Sequence, residues 1–207
     1  IIGIPFIYAA YLYPSLPEII PTHFNIKGEA DGFGGKGSIY VGPSIMGMAS
    51  LFTYLFLTYI KKIDPKRSEQ MEDGLFQKFG FFTVLFLTAL SMVILYATTH
   101  QGISIEKLLF PLMGLAFAGM GLYMAKLKQN YFAGFKLPWT LDNVDNWNAT
   151  HKIAGKVWLY GGIIQFFSGL AFSSVASFVI FFIAMVVMVL VPTIYSYRMF
   201  KNGNKVS

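Results

Sequence analysis

The sequence predicts an all-α, polytopic membrane protein with about six transmembrane helices, an outer polar cap and a cytoplasmic amphipathic loop helix. Apolar segments recur at about 1 to 14, 39 to 60, 76 to 97, 107 to 125, 156 to 173 and 175 to 197, most near the ~20 residues a spanning helix needs. Runs such as Phe178 to Val191 lack strict alternation, so helices, which satisfy their own backbone groups in lipid, are expected over a barrel. Charge is the third observation: with six spans, 13 of the 16 Lys and Arg residues fall on one side, leaving Lys27, Lys36 and Lys107 on the other. By the excess of positive charge the 13-residue side is cytoplasmic, so both termini are expected on the cytoplasmic side of the membrane.

Taken in order, the chain begins at Ile1 with neither Met nor a charged leader, and is expected to start inside its first membrane segment. Residues 1–60 hold two membrane helices around an extracytoplasmic cap at 15–38, and residues 61–207 hold four more around a cytoplasmic loop at 126–156. Asp64-Pro65 has the form of a helix start, N-cap then first turn. Gly114 and Ala118 in the fourth segment, and Gly161, Gln165 and Gly169 in the fifth, place small or hydrogen-bonding residues on one helical stripe, the signature of helix packing.

Two segments are too polar for plain connectors. The cap contains LPEIIPTHFNIKGEADGFGGK, Leu16 to Lys36, where prolines enforce extended or turn geometry and glycines permit tight turns. His23 and Asn25 lie two apart, so on an extended chain they face one side, with Pro21 just before them. Asp31 is placed either to close the Asp31-Gly32 turn or to pair with His23. In the inner loop, Thr140 is a plausible N-cap, and Asn143, Trp147 and His151 share a face of a helix running into the fifth span. Tyr131, Trp139 and Trp147 suit a headgroup layer, so this loop reads as an interfacial helix, a docking surface, or both.

Several chemistries are excluded. There is no Cys, hence no disulfide, thiolate metal site or cysteine nucleophile. The net charge of +6 is dispersed at span ends rather than gathered in one patch, which argues against direct nucleic-acid binding. GFGGKGS, residues 32 to 38, fails the phosphate-loop spacing, and no His-Glu-x-x-His pair occurs. All ten acidic residues lie in loops or at span ends, which weakens a proton-coupled transporter or an intramembrane protease. Neither a metal nor a cofactor is expected, since the outward His23, His100, Glu18, Asp31 and Glu106 fit no ligand spacing.

At this point the residues resemble a known family. Leu16-Pro17, Ile20-Pro21, His23-Phe24-Asn25, Gly28 and Asp31-Gly32 resemble the small extracytoplasmic domain of unknown function that often begins SdpI-type proteins. Asn130-Tyr131-Phe132, Gly134, Pro138-Trp139-Thr140, Trp147, Thr150-His151-Lys152 and Gly155-Lys156 resemble the SdpI signature itself. The resemblance implies a bacterial immunity protein that protects against a secreted peptide toxin and signals by holding a cytoplasmic transcriptional repressor at the membrane. It implies toxin sensing by the cap (Pro21, His23, Asn25, Gly28, Asp31) and partner docking by Asn130, Phe132, Gly134, Pro138, Trp139, Thr140, Trp147, Thr150, His151, Gly155 and Lys156. The rival readings are a membrane enzyme acting on a lipid, peptide or cell-wall precursor, which lacks a complete catalytic set, and a small transporter of hydrophobic cargo.

Overall fold

Where the sequence is apolar without alternation, the chain is helical. A computed structural model of the protein describes residues 1–25, 27, 29–63, 74–100 and 105–203. The helices are α1 (Ile4–Leu12), α2 (Val41–Ile63), α3 (Leu75–Thr99), α4 (Glu106–Met124), the short α5 (Pro138–Asp142), α6 (Val144–Ala171) and α7 (Ser174–Gly203). Four helical stretches, 36–60, 75–99, 106–124 and 174–202, are long and apolar enough to cross a membrane. Among the described residues these four meet that length and composition, against the six expected. The nine residues of α1 rise roughly 14 Å, short of the ~30 Å hydrocarbon layer. The 28 residues of α6 would reach across, but its first turns carry Asp145, Asn146, Asn148 and Lys152. The Asp64-Pro65 helix start lies outside the described residues.

Between α1 and α2 the described chain departs from the all-α expectation. Strands β1 (Ile19–Phe24) and β2 (Ala30–Gly35) form an antiparallel hairpin in which Ile20 faces Gly34, Pro21 faces Phe33 and His23 faces Gly32. Thr22 is bulged out of this register. Ile20, 1% exposed, plugs into a cluster with Ala9, Ile39 and Leu95, so the cap is pinned to α1 and to the end of α3 by apolar burial.

In the second half, α4 and α6 pack antiparallel with their backbones in contact. A Cβ on Gly114 would strike the backbone of Phe166, and one on Gly162 would strike that of Ala118. A turn pair further along, Gly121 and Gly155, repeats the arrangement, with a Cβ on Gly121 reaching the Gly155 carbonyl at 2.7 Å. Gly161, expected on the same stripe, instead faces Met188 of α7. The turn joining α6 to α7 is tied to α4 by Lys107, whose ammonium donates to the carbonyls of Leu170 (3.4 Å) and Phe172 (2.5 Å).

Candidate functional site

The two polar segments lie at opposite ends of the bundle: the hairpin packs on the end of α3, whereas the 125–143 segment packs where α2 ends and α3 begins. At the hairpin end, His23 Nδ1 meets Asp31 Oδ1 at 2.5 Å, so the pairing alternative for Asp31 is the one realised. Asn25 lines the same cleft beneath the hairpin as His23, but its side chain is taken up by the turn. Its Oδ1 accepts the N–H groups of Lys27 (2.8 Å) and Glu29 (3.1 Å), and its amide donates to Glu29 Oε2, because β1 ends at Phe24 and the asparagine closes the turn. Pro21 is buried, and Gly28 lies outside the described residues. Lys36 donates to Glu18 at 2.9 Å.

Beneath the hairpin is a cleft of about 1010 Å³, walled by β1 and by α2, α3, α4 and α7. Glu106, the first residue of α4, lines it. The side chain is at a span end, as the sequence indicates, but it is turned inward and only 5% exposed. The Ser174 hydroxyl donates to its Oε1, and Oε2 has no partner among the described residues. Sequence reasoning placed Glu106 at its span end but missed the cleft and the inward turn of the carboxyl, because the walls come from elements as far apart in sequence as Ile20 and Phe181.

At the other end the loop folds on itself through buried polar groups. Asn130 Oδ1 accepts the N–H groups of Phe132 and Ala133, both at 2.8 Å, making a side-chain-closed turn. Phe132 then packs against Leu57, Ile60 and Phe76. Gly134 follows with φ +108, the left-handed region open to glycine. Thr140 is not the N-cap of the long helix: it lies inside α5, where its hydroxyl accepts the Leu137 N–H at 2.9 Å and donates to the Phe135 carbonyl at 2.6 Å. The cap of α6 is Asn143, whose Oδ1 accepts the Asn146 N–H at 2.8 Å.

The face carrying Trp147 and His151 exists as the spacing indicates, but it points inward. Trp147 is 0% exposed, donates to the Leu127 carbonyl at 2.7 Å and stacks on His151 with ring centroids 4.0 Å apart. It is a core residue and not an interfacial one. Both His151 nitrogens are committed: Nε2 accepts the Phe135 N–H at 3.0 Å and Nδ1 donates to the Trp147 carbonyl at 2.8 Å. Such a ring is neutral, and burial pushes its pKa down against the smaller upward pull of the carbonyl.

A second network was not legible in sequence. Ser196 of α7 accepts from Trp139 Nε1 (2.7 Å) and donates to Asn146 Oδ1 (2.8 Å), which also accepts from Thr150 (3.0 Å). Gln129 donates to the carbonyls of Thr140 and Leu141. Of the expected docking residues, Asn130, Thr140, Trp147, Thr150, His151 and Gly155 are therefore buried and shape the loop, while Gly134, Pro138 and Lys156 are exposed and Phe132 and Trp139 half-buried. Among the described residues no group of three His, Asp or Glu is placed to hold a metal ion.

Residues 126–196 match the SdpI/YfhL protein family, and residues 1–47 match a domain of unknown function, DUF1648. These two matches, in this order, cover the polar segments at the two ends of the bundle. No curated protein and no solved structure matches the chain.

Proposed function

We propose that this multi-pass membrane protein of SdpI/YfhL type gives its host resistance to a secreted peptide toxin, and that it reports toxin engagement to a cytoplasmic transcriptional repressor. The observation that carries the reading is the separation of two built polar sites. The hairpin, with its His23–Asp31 pair, is at one end; the loop, organised by Asn130, Thr140 and His151, is at the other. A receptor needs one surface for ligand and another for readout, joined by a stiff body. In this reading the hairpin faces outward and meets the toxin, and the loop is cytoplasmic, in keeping with the lysine asymmetry. Because the buried loop residues are occupied internally, docking falls to the exposed rim, including Pro138, Lys152 and Lys156.

The test is expression in toxin-sensitive cells together with a fluorescently tagged candidate repressor. Survival, with repressor moving to the membrane on toxin addition, is the expected outcome. No protection from any secreted toxic peptide at verified membrane abundance would reject the immunity reading. Protection without recruitment would remove the signalling half alone.

A further inference from the structure

We propose that the cleft beneath the hairpin binds an extended, apolar peptide segment as a third strand along β1, with a basic group of that segment seated at Glu106. This deepens the toxin-engagement reading and rests on it. Four independent observations converge on the site.

First, all six consecutive residues from Ile20 to Asn25 line the cleft. Phe33 and Gly34 of β2 line it as well, and the bulge at Thr22 breaks the alternation of the strand, so β1 borders the cleft along its whole length. Second, the outer edge of β1 carries no further strand: among the described residues the sheet has two strands and no backbone hydrogen bond from residues 20–24 goes anywhere but β2, Pro21 contributing a carbonyl and no N–H. An unpaired strand edge is a template for a further strand.

Third, the facing walls are apolar, with Ile94, Leu109, Phe110, Met113, Phe178 and Phe181 available to alternate side chains of the guest. The volume of about 1010 Å³ reaches the top of the ~300–1,000 Å³ range of small-molecule sites, giving room for a peptide segment. Fourth, Glu106 brings one buried carboxyl oxygen with no partner among the described residues. A buried acceptor oxygen without a donor is costly, and a lysine, arginine or amino terminus supplies what is missing. A lipid chain would suit the walls but offers the strand edge no hydrogen bonds, and an anionic headgroup would be repelled by the carboxylate.

The purified full chain in detergent micelles is titrated with a fluorescent synthetic hexapeptide of alternating leucine and valine carrying one lysine, with empty micelles as reference. Two counterparts are compared: one with norleucine for lysine, one with alternate amides N-methylated. Saturable binding is expected, weakened about tenfold or more by either change, since each removes a charge-assisted or a strand-type set of hydrogen bonds. Glu106→Gln should erase the difference between the lysine and norleucine peptides. Gly42→Leu should weaken both, because a Cβ there meets only Ile94 Cγ2 at 3.8 Å and the side chain fills the cleft without a backbone clash.

The chain has no Cys, so Met113→Cys introduces a single thiol whose labelling the peptide should block. The proposal is overturned if no saturable binding occurs, if the N-methylated peptide binds as tightly, if Gly42→Leu leaves binding unchanged, or if a single-chain phosphocholine lipid protects the thiol as well as the peptide does. Should Glu106→Gln fail to insert, the peptide series and Gly42→Leu decide. Wild-type protection retained in a Gly42→Leu variant that no longer binds would sink the cleft and leave the immunity reading standing. Peptide binding in a chain that protects against nothing would do the reverse.

Discussion

A Cβ built on Gly134 would fall on Nε2 of His151, so the left-handed turn of the loop and the second turn of α6 are in direct contact. The same nitrogen accepts the N–H of Phe135, the residue after that glycine. Gly134→Ala is expected to destabilise the protein by about 1–3 kcal/mol from backbone strain alone, and further by displacing the ring. Because both residues serve one contact, the Gly134→Ala/His151→Ala double variant should lose less than the sum of the single losses. Unfolding in micelles measures all three, and strict additivity would separate the turn from the histidine.

Stability should also fall with acid. His151 lies ahead of the apolar part of α6, and its pKa is lowered from 6.5 mainly by burial. The folded state thus favours the neutral ring, so this contribution is complete above the unfolded value and is lost as pH drops below it toward the folded value. A melting series from about pH 8 to pH 5 should show a decline that His151→Gln flattens, since glutamine has no proton to gain in this range.

The two loop tryptophans should behave differently. Trp147 is 0% exposed, and Trp147→Ala removes a fully packed ring at an expected cost of about 3–5 kcal/mol. Trp139→Phe keeps most of the stacking on Tyr197 and Phe200 but drops the bond to Ser196, an expected loss of about 0.5–1.5 kcal/mol. Equal losses would show that the indole of Trp147 is less confined than its burial indicates.

Gln165 of α6 is 0% exposed, and among the described residues neither its Oε1 nor its Nε2 has a hydrogen-bond partner. An unsatisfied buried amide costs about 1–3 kcal/mol, so Gln165→Leu should be neutral or stabilising. A clear drop in melting temperature would instead reveal a water or ligand bound at the amide.

The sidedness can be read on living cells. Lys27, exposed in the hairpin turn, should react with a membrane-impermeant amine reagent, while Lys136 and Lys152, exposed at the other end, should not. Mass spectrometry of the recovered protein locates the label. Modified Lys136 in sealed cells would invert the topology and with it the assignment of toxin and repressor faces.

Lipid-facing segments were legible because long apolar runs admit few structures. The runs 39–60, 76–97 and 107–125 became α2, α3 and α4 with ends moved by at most three residues. The apolar run from 156 marks only the later part of α6; its polar first turns carry no hydropathy signal and are read from the spacing of Asn143, Trp147 and His151, with the N-cap expected at Thr140 and found at Asn143. The Trp147/His151 face followed from a four-residue spacing, but spacing alone does not tell a core aromatic from an interfacial one. The Ser196–Asn146 bond, 50 residues apart, and the Glu106 cleft depend on tertiary placement that local pattern does not encode.

The glycine contacts between α4 and α6 set how this protein can move. Gly114 and Gly121 are seven apart, as are Gly155 and Gly162, and in the antiparallel pair 114 meets 162 while 121 meets 155. A slide by one helical turn, about 5.4 Å, would drive larger neighbours such as Leu159 or Phe166 into space that admits no side chain. The two helices therefore form a keyed shaft, free to tilt or rotate together and unable to ratchet. The end of that shaft carrying Glu106 and Gly169 borders the cleft, and its opposite end carries Trp147 and His151. Close backbone contact along the pair makes the two ends parts of one stiff body, with no need for a relay of side chains between.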